Sequence, residues 1–248
     1  MAERKVRSAP ESLSVLVPVF NEAATLRPAL ERLLKTDLGV RLEVVVIDDG
    51  STDRSMESID DLVLDGLVRM VVHPVNCGKG SALRTGLAVS SGDLVTILDA
   101  DLEYDPADYR EMLRAVADEQ ADVVYGTRSF SSNTAFSFWY VIGNRLVSFW
   151  ASFLFNTWLS DLETCFKMAR RDVWESLDLR QTGFGIEAEA TGRLLSHGHR
   201  IYEVPISYRA RERNEGKKLK WTDGLHALVI LTRIRLLEGG RRKRIVRR

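Results

Sequence analysis

The chain has 248 residues, 45% hydrophobic and 28% charged, so it can bury a real core as one large or two small domains. Its 35 basic and 35 acidic residues leave no formal net charge, which excludes a general attraction to nucleic acid. Cys77 and Cys165 match no metal-binding spacing and, with no signal peptide ahead of them, are expected to be free thiols in a reducing compartment.

Residues 1–12 are polar and expected to be loose. Residues 13–19 read as a buried strand, and 22–35, with Leu26, Leu30, Leu33 and Leu34 on one face, as an amphipathic helix. A second strand covers 42–47 and is followed by a turn and a helix from about Thr52. Residues 68–72 form a third strand, 80–90 a helix and 94–98 a fourth strand. A helix over 108–117 is entered through an Asp105 cap with Pro106 at its first position, and 122–126 is a fifth strand. Strands alternating with helices at this spacing predict an α/β fold, a mostly parallel sheet flanked by helices. Ligands of such sheets sit at the carboxyl ends of the strands.

One edge of the sheet therefore collects a distinctive set of residues. The first strand runs into Pro18-Val19-Phe20-Asn21-Glu22 and the second into Asp48-Asp49-Gly50-Ser51. The third reaches Asn76-Cys77-Gly78-Lys79-Gly80, and the fourth ends in Asp99-Ala100-Asp101-Leu102-Glu103-Tyr104-Asp105. On an extended backbone Asp99, Asp101 and Glu103 share one side, where their repulsion calls for a cation. Oxygen ligands without His or Cys suit Mg²⁺ or Mn²⁺, with water or a diphosphate completing the coordination. The alternative is an acidic turn that caps the next helix. The Gly78-Lys79-Gly80 turn lacks the spacing of a P-loop, and no Gly-x-Gly-x-x-Gly follows the first strand, so neither an ATPase nor a dinucleotide fold is supported. Carboxylates on the first two strands instead suit a uridine or guanine ring and its ribose.

Residues 17–22, the run Ile47-Asp48-Asp49-Gly50-Ser51-Thr52-Asp53, Asn76-x-Gly-Lys-Gly and Asp99-x-Asp101 resemble, in this order and spacing, the family-2 glycosyltransferases of GT-A fold. The resemblance implies a Rossmann-like sheet and a nucleotide-sugar donor bound by Pro18, Phe20, Glu22, Asp49, Asn76, Lys79 and Asp99. It also implies anomeric inversion and a metal site at Asp101, with Asp99 and Glu103 as the neighbouring candidate ligands.

Residues 136–159 are rich in Phe and Trp, with Asn144 and Arg145 the strongly polar exceptions. The segment is long enough to span a bilayer. Arg145 near its middle would cost about 2.5–3.5 kcal/mol there, so a helix lying in the membrane interface is expected, with Arg145 turned to an anionic ligand. The alternative is a helix packed in the core or against a second copy in a homodimer. Residues 161–168, 185–189 and 202–208, then Arg211 and Gly216-Lys217-Lys218, extend the resemblance to the polyprenyl-phosphate branch, the dolichyl-phosphate mannose synthases. There Gly126-Thr127-Arg128, Arg145 and Arg211 are implied to hold donor and acceptor phosphates, and Lys217 adds a further cation. Two residues depart from the pattern: Glu103 replaces a Gln, and Asn214-Glu215-Gly216-Lys217 replaces Gly-x-Ser-Lys.

The expected protein is a metal-dependent hexosyltransferase that uses a UDP- or GDP-sugar and a polyprenyl phosphate. It is expected in the cytoplasm, peripheral at the inner face of the membrane. Its GT-A domain would cover 13–220, with a nucleotide-sugar half over 13–128 and an acceptor half over 129–220. An amphipathic helix and a basic tail, drawn to anionic headgroups, would cover 221–248. The rivals are transfer to a soluble or protein hydroxyl with Glu187 or Glu189 as base, and a non-catalytic nucleotide-sugar-binding subunit.

Overall fold

The structure, a computed structural model, describes residues 8–118, 121–128, 138–210 and 221–238. Among these residues one sheet holds β1 (Ser12–Val19), β2 (Arg41–Asp48), β3 (Arg69–Val72), β4 (Leu94–Ile97), β5 (Val123–Thr127), β6 (Lys167–Arg170) and β7 (Ile201–Pro205). Their order is β3-β2-β1-β4-β6-β5-β7. Every neighbouring pair is parallel except those of β6, which runs antiparallel to both β4 and β5.

Burial explains the composition of the strands. Seven of the eight residues of β1 are buried, as a central strand covered on both faces requires, and from Val15 onward it reads as an apolar run rather than an alternation. The predicted parallel α/β sheet is present, with element bounds shifted; the helix expected over 22–35, for instance, covers only Leu26–Leu34. Ser12 already belongs to β1, because its N–H and hydroxyl both donate to the Asp93 carboxylate, at 3.1 and 3.0 Å. The helix expected from Thr52 is only α2 (Asp60–Leu64), preceded by a 3₁₀ turn over Glu57–Ile59.

The other helices are α1 (Leu26–Leu34), α3 (Lys79–Val89), α4 (Tyr109–Asp118), α5 (Phe138–Phe155), α6 (Arg171–Ser176), α7 (Ile186–Ser196) and α8 (Trp221–Glu238). The start of α4 is as expected: Asp105 Oδ1 accepts from Ala107 N–H at 3.0 Å, with Pro106 beginning the turn. Every residue of α7 is buried. Helix α8 covers it with Ala227, Ile230, Leu231 and Ile234, a spacing of three, one and three that keeps all four on one face. Gly192 makes the close approach: a Cβ there would lie 3.0 Å from Ile234 Cδ1. Helix α8 also meets α5, where Trp150 Nε1 donates to Thr232 Oγ1 at 3.0 Å.

Candidate active site at the strand ends

The loops after β1, β2 and β3 are knitted together by short polar side chains. Asn21 Oδ1 accepts from Thr52 N–H at 2.8 Å, and Asn21 N–H donates to Ser51 Oγ at 3.0 Å. Glu22 N–H donates to Ser55 Oγ at 2.8 Å, and Asp48 Oδ1 accepts from Ser51 N–H at 2.9 Å. Burial alone would raise the Asp53 carboxyl, but hydrogen bonds from Ser55 and Ala23 hold it below the usual carboxylate range. These local bonds compete with helix formation and explain why residues 49–56 remain a loop.

Asp49 occupies the centre of this lattice. It is buried, and it accepts from Cys77 N–H at 2.9 Å, Gly78 N–H at 2.7 Å and a ring nitrogen of His73 at 2.8 Å. Gly50, with φ of +75°, lets the chain pass there: a Cβ would stand 2.6 Å from the Val75 carbonyl carbon. Asp49 is thus a brace that sets the Asn76–Gly78 loop. Asp49, His73 and Cys77 also offer three donor atoms within 4.8 Å of one another. Each already has a hydrogen-bond partner, with His73 Nε2 on Thr85 Oγ1 and the Cys77 thiol on Val75 O, so the cluster is complete without an ion.

Pro18, Phe20 and Glu22 are half-buried at the end of β1, and Asn76 is exposed at the rim. The glycines around Lys79 exist for packing: a Cβ on Gly78 would lie 2.5 Å from Thr182 O, and one on Gly80 2.3 Å from Gln181 O. Residues 181–183 therefore cross directly over this turn. Lys79 Nζ reaches Asp99 at 2.8 Å and Glu187 Oε1 at 3.3 Å, while Lys167 Nζ meets Glu187 Oε2 at 2.6 Å. Burial alone would lower the Lys79 ammonium, but Asp99 and Glu187 beside it hold it well above the usual lysine range.

The three carboxylates after β4 do not converge as alternation predicted. The strand ends at Ile97, and Leu102 has a φ of +63°, so the extended geometry that would align them is lost. Asp99 is engaged by Lys79, and Glu103 accepts from Tyr208 OH at 2.6 Å. Asp101 Oδ1 accepts from Glu103 N–H at 3.1 Å. Among the described residues, no three metal-ligating atoms of this trio gather within 4.8 Å.

Arg128 stands at the end of β5 and forms a bidentate pair with the buried Asp161, at 2.7 and 2.8 Å. Burial would raise the Asp161 carboxyl, yet the charge and hydrogen bonds of Arg128, with a 3.0 Å bond from Asn144 Nδ2, hold it below the usual range. The Arg128 guanidinium lies 5.0 Å over the Tyr208 ring. Arg145 is exposed on α5, and the neighbouring Asn144 reaches Asp161. Arg211, Lys217 and the tail over 241–248 lie outside the described residues.

Three residues of the cluster were not expected as site residues: Asp161, Lys167 and Tyr208. Lys167 is fully buried, with its ammonium donating to Leu162 O at 2.8 Å and to Thr164 O. A Lys beside Phe166 and Met168 in a short apolar run was the available signal. Glu189 accepts from Arg180 N–H, Gln181 N–H and Arg193 Nε at 2.8, 2.7 and 3.1 Å. Both carboxylates considered as a base, Glu187 and Glu189, are therefore held by cations and backbone donors.

Residues 14–177 match the family described as Glycosyl transferase family 2. A curated dolichol-phosphate mannosyltransferase of Pyrococcus furiosus is 27% identical over 213 residues, which is 83% of this chain and 58% of that protein. An undecaprenyl-phosphate 4-deoxy-4-formamido-L-arabinose transferase of Proteus mirabilis is 38% identical over 120 residues, 47% of this chain and 36% of that protein. The chain thus spans less than two thirds of the length of either. Among solved structures, glucosyl-3-phosphoglycerate synthase of Mycobacterium tuberculosis in complex with Mn²⁺, UDP and phosphoglyceric acid superposes with a TM-score of 0.71 at 21% identity, covering 91% of this chain and 78% of that one. That likeness shows the same GT-A-like fold.

Proposed function

Because the chain belongs to glycosyl transferase family 2, we propose that it is an inverting, metal-dependent hexosyltransferase acting on a polyprenyl phosphate at a membrane surface. The donor, a UDP- or GDP-hexose, is assigned to the carboxyl ends of β1–β4, against Pro18, Phe20, Glu22 and Asn76 and beside Lys79 and Asp99. Asp49 serves that subsite by bracing its loop. The acceptor phosphate is assigned to Arg128, with Arg145, Arg211 and Lys217 as further cations.

The observation that carries the acceptor class is the two-sided character of α5. Its inner side joins the Arg128 cluster, through Asn144 to Asp161 and through Ser148 Oγ, which accepts from Leu162 N–H at 2.9 Å. Its outer side exposes Phe138, Leu146, Phe149 and Phe153. Helix α8 adds exposed Leu225, Val229, Leu236 and Leu237, and a largely apolar groove of about 900 Å³ runs between the two helices. An apolar surface joined by one helix to an anion-binding cluster suits a lipid whose phosphate must reach the site while its chain remains in the membrane interface. Among the described residues no helix is long and apolar enough to cross a membrane. The names of the Pyrococcus and Proteus relatives, which carry dolichol phosphate and undecaprenyl phosphate, support the same acceptor class.

The chemistry agrees with the occupied carboxylates. A polyprenyl monophosphate has a second pKa of about 6 and is largely dianionic at neutral pH, so its oxygen can attack C1 of the hexose without a base. The C1–oxygen bond to the diphosphate breaks as the new bond forms, and its electron pair leaves with the nucleoside diphosphate. What this chain must supply is positive charge that lets two anions approach, and the held guanidinium of Arg128 is placed for that. Asp101 provides the hard oxygen donors that fit Mg²⁺ or Mn²⁺, with Asp99 and Glu103 already engaged by Lys79 and Tyr208. Bound there, the cation would screen the diphosphate charge.

Incubation with a radiolabelled UDP- or GDP-hexose, Mg²⁺ or Mn²⁺ and a polyprenyl phosphate should move label into the organic phase. Label released only into water, with or without the lipid, would overturn the assignment.

A further inference from the structure

Away from the oxygen donors of Asp101, the molecule gathers a second set of ligand atoms of a different kind. Asp49 at the end of β2, His73 after β3 and Cys77 in the loop before α3 offer a carboxylate oxygen, a ring nitrogen and a thiol within 4.8 Å of one another. Mg²⁺ and Mn²⁺ favour oxygen alone, whereas nitrogen and sulfur beside one carboxylate suit Zn²⁺.

The surroundings orient these side chains as the outer shell of a metal site does. Asp49 Oδ2 accepts from Gly78 N–H at 2.7 Å, which fixes the carboxylate with Oδ1 toward His73. His73 Nε2 meets Thr85 Oγ1 at 2.9 Å, the contact at the far nitrogen that sets the ring of a ligating imidazole. Cys77 is exposed, which gives an ion a way in and leaves a fourth position to water. We propose that Asp49 Oδ1, His73 Nδ1 and Cys77 Sγ bind Zn²⁺, as a clamp that ties the Asn76–Gly78 loop to the ends of β2 and β3.

When no ion is bound, hydrogen bonds close the cluster, His73 Nδ1 to Asp49 at 2.8 Å and the thiol to Val75 O at 3.3 Å. Both are bonds that a cation replaces. The thiol proton leaves to solvent, and the ring proton passes from Nδ1 to Nε2, where Thr85 Oγ1 accepts it. Tetrahedral zinc bonds of about 2.0–2.3 Å set ligand atoms about 3.3–3.6 Å apart. The nitrogen and oxygen therefore separate by about half an ångström, and the exposed thiol turns inward from Val75 O. One thiolate and one carboxylate then balance the charge of the ion. The site belongs to a different ion from the one assigned to Asp101, and it acts on the loop that carries Asn76.

Co²⁺ serves as a coloured probe for Zn²⁺. The full chain, reduced and in excess Mg²⁺ to fill oxygen-only sites, is titrated first with Co²⁺ and then with Zn²⁺. Thiolate ligation should appear as a near-ultraviolet charge-transfer band and tetrahedral geometry as strong visible absorption, both saturating at one ion per chain and both removed by an equal amount of Zn²⁺. C77S, a change on an exposed side chain, should lose the charge-transfer band, and Zn²⁺ should raise the melting temperature of the wild type but not that of C77S. No charge-transfer band in the wild type overturns the site. A band that persists in C77S overturns it by placing the ion on the buried Cys165. A charge-transfer band with only weak, octahedral visible absorption overturns it too, since it means that Cys77 binds the ion with water and without His73 and Asp49.

Discussion

The loops after β1–β3 and the segment between α5 and β6 both bring carboxylates to one edge of the sheet, but they hold them by opposite means. In the first region backbone N–H groups do most of the work, as when Cys77 and Gly78 close on Asp49, Ser51 on Asp48 and Ala23 on Asp53. In the second the partners are side-chain cations, the mostly enclosed Arg128 for Asp161 and the fully buried Lys167 for Glu187 on the adjoining α7. A carboxylate held by backbone donors shapes a loop and leaves the core to the apolar residues beneath it. A buried ion pair is part of the core, and removing one member strands the other. The donor half should therefore allow function and stability to be separated by mutation, and the acceptor half should not.

The largest effect expected is on turnover in the donor half. Asp101→Ala should abolish transfer while the melting curve stays within about 0.5 kcal/mol of the wild type, because the half-exposed strand-end carboxylate supports no core packing. Retention of most activity in excess Mn²⁺ or Mg²⁺ would remove Asp101 from the metal site. Next comes Asp161→Ala, which leaves the mostly enclosed Arg128 guanidinium without its anion and should cost about 3 kcal/mol in urea unfolding together with most of the activity. A stable but inactive Asp161→Ala protein would erase the contrast between the halves. Asp49→Ala should cost about 1–3 kcal/mol and raise donor KM more than it lowers kcat, since it frees the loop that carries Asn76 rather than touching the transferred group. Isothermal titration with UDP and GDP would check the second part, and unchanged donor affinity would take Asp49 out of that subsite.

A further effect, read only in the pH dependence of melting, has a sign set by linkage. The Glu163 carboxyl titrates higher in the folded chain than in the unfolded one, so the folded state binds more protons over that interval and stability falls as pH rises from about 4.5 toward about 7. E163Q should therefore melt higher than the wild type at pH 8 and the same at pH 4. Equal melting temperatures at both values would mean that Glu163 is not desolvated.

The same division governs what could be read from the residues alone. The apolar runs of β1–β5 and the motifs that follow them are local, so the parallel sheet and its functional edge were legible. The segment that became β6 was not, because it is four residues long and opens with a charged Lys167. Pairing of Arg128 with Asp161, 33 positions apart, leaves no local pattern. Alternation failed beyond Leu98 because the backbone turns at Leu102, which separates carboxylates that a continued strand would have aligned. Asn144 and Arg145 are adjacent on α5 with opposite fates, one turned to Asp161 and one exposed, a choice made by helix rotation against the loop over 161–166.

In the proposed reaction the acceptor arrives already charged, so that no base is needed. The most direct measurement compares a prenyl phosphate with the prenyl alcohol of the same chain length as acceptors for a labelled nucleotide-hexose, at neutral pH with Mn²⁺. Labelled lipid is expected from the phosphate and none above background from the alcohol. Equal or faster transfer to the alcohol would contradict it and would require one of the carboxylates in this site to act as a base.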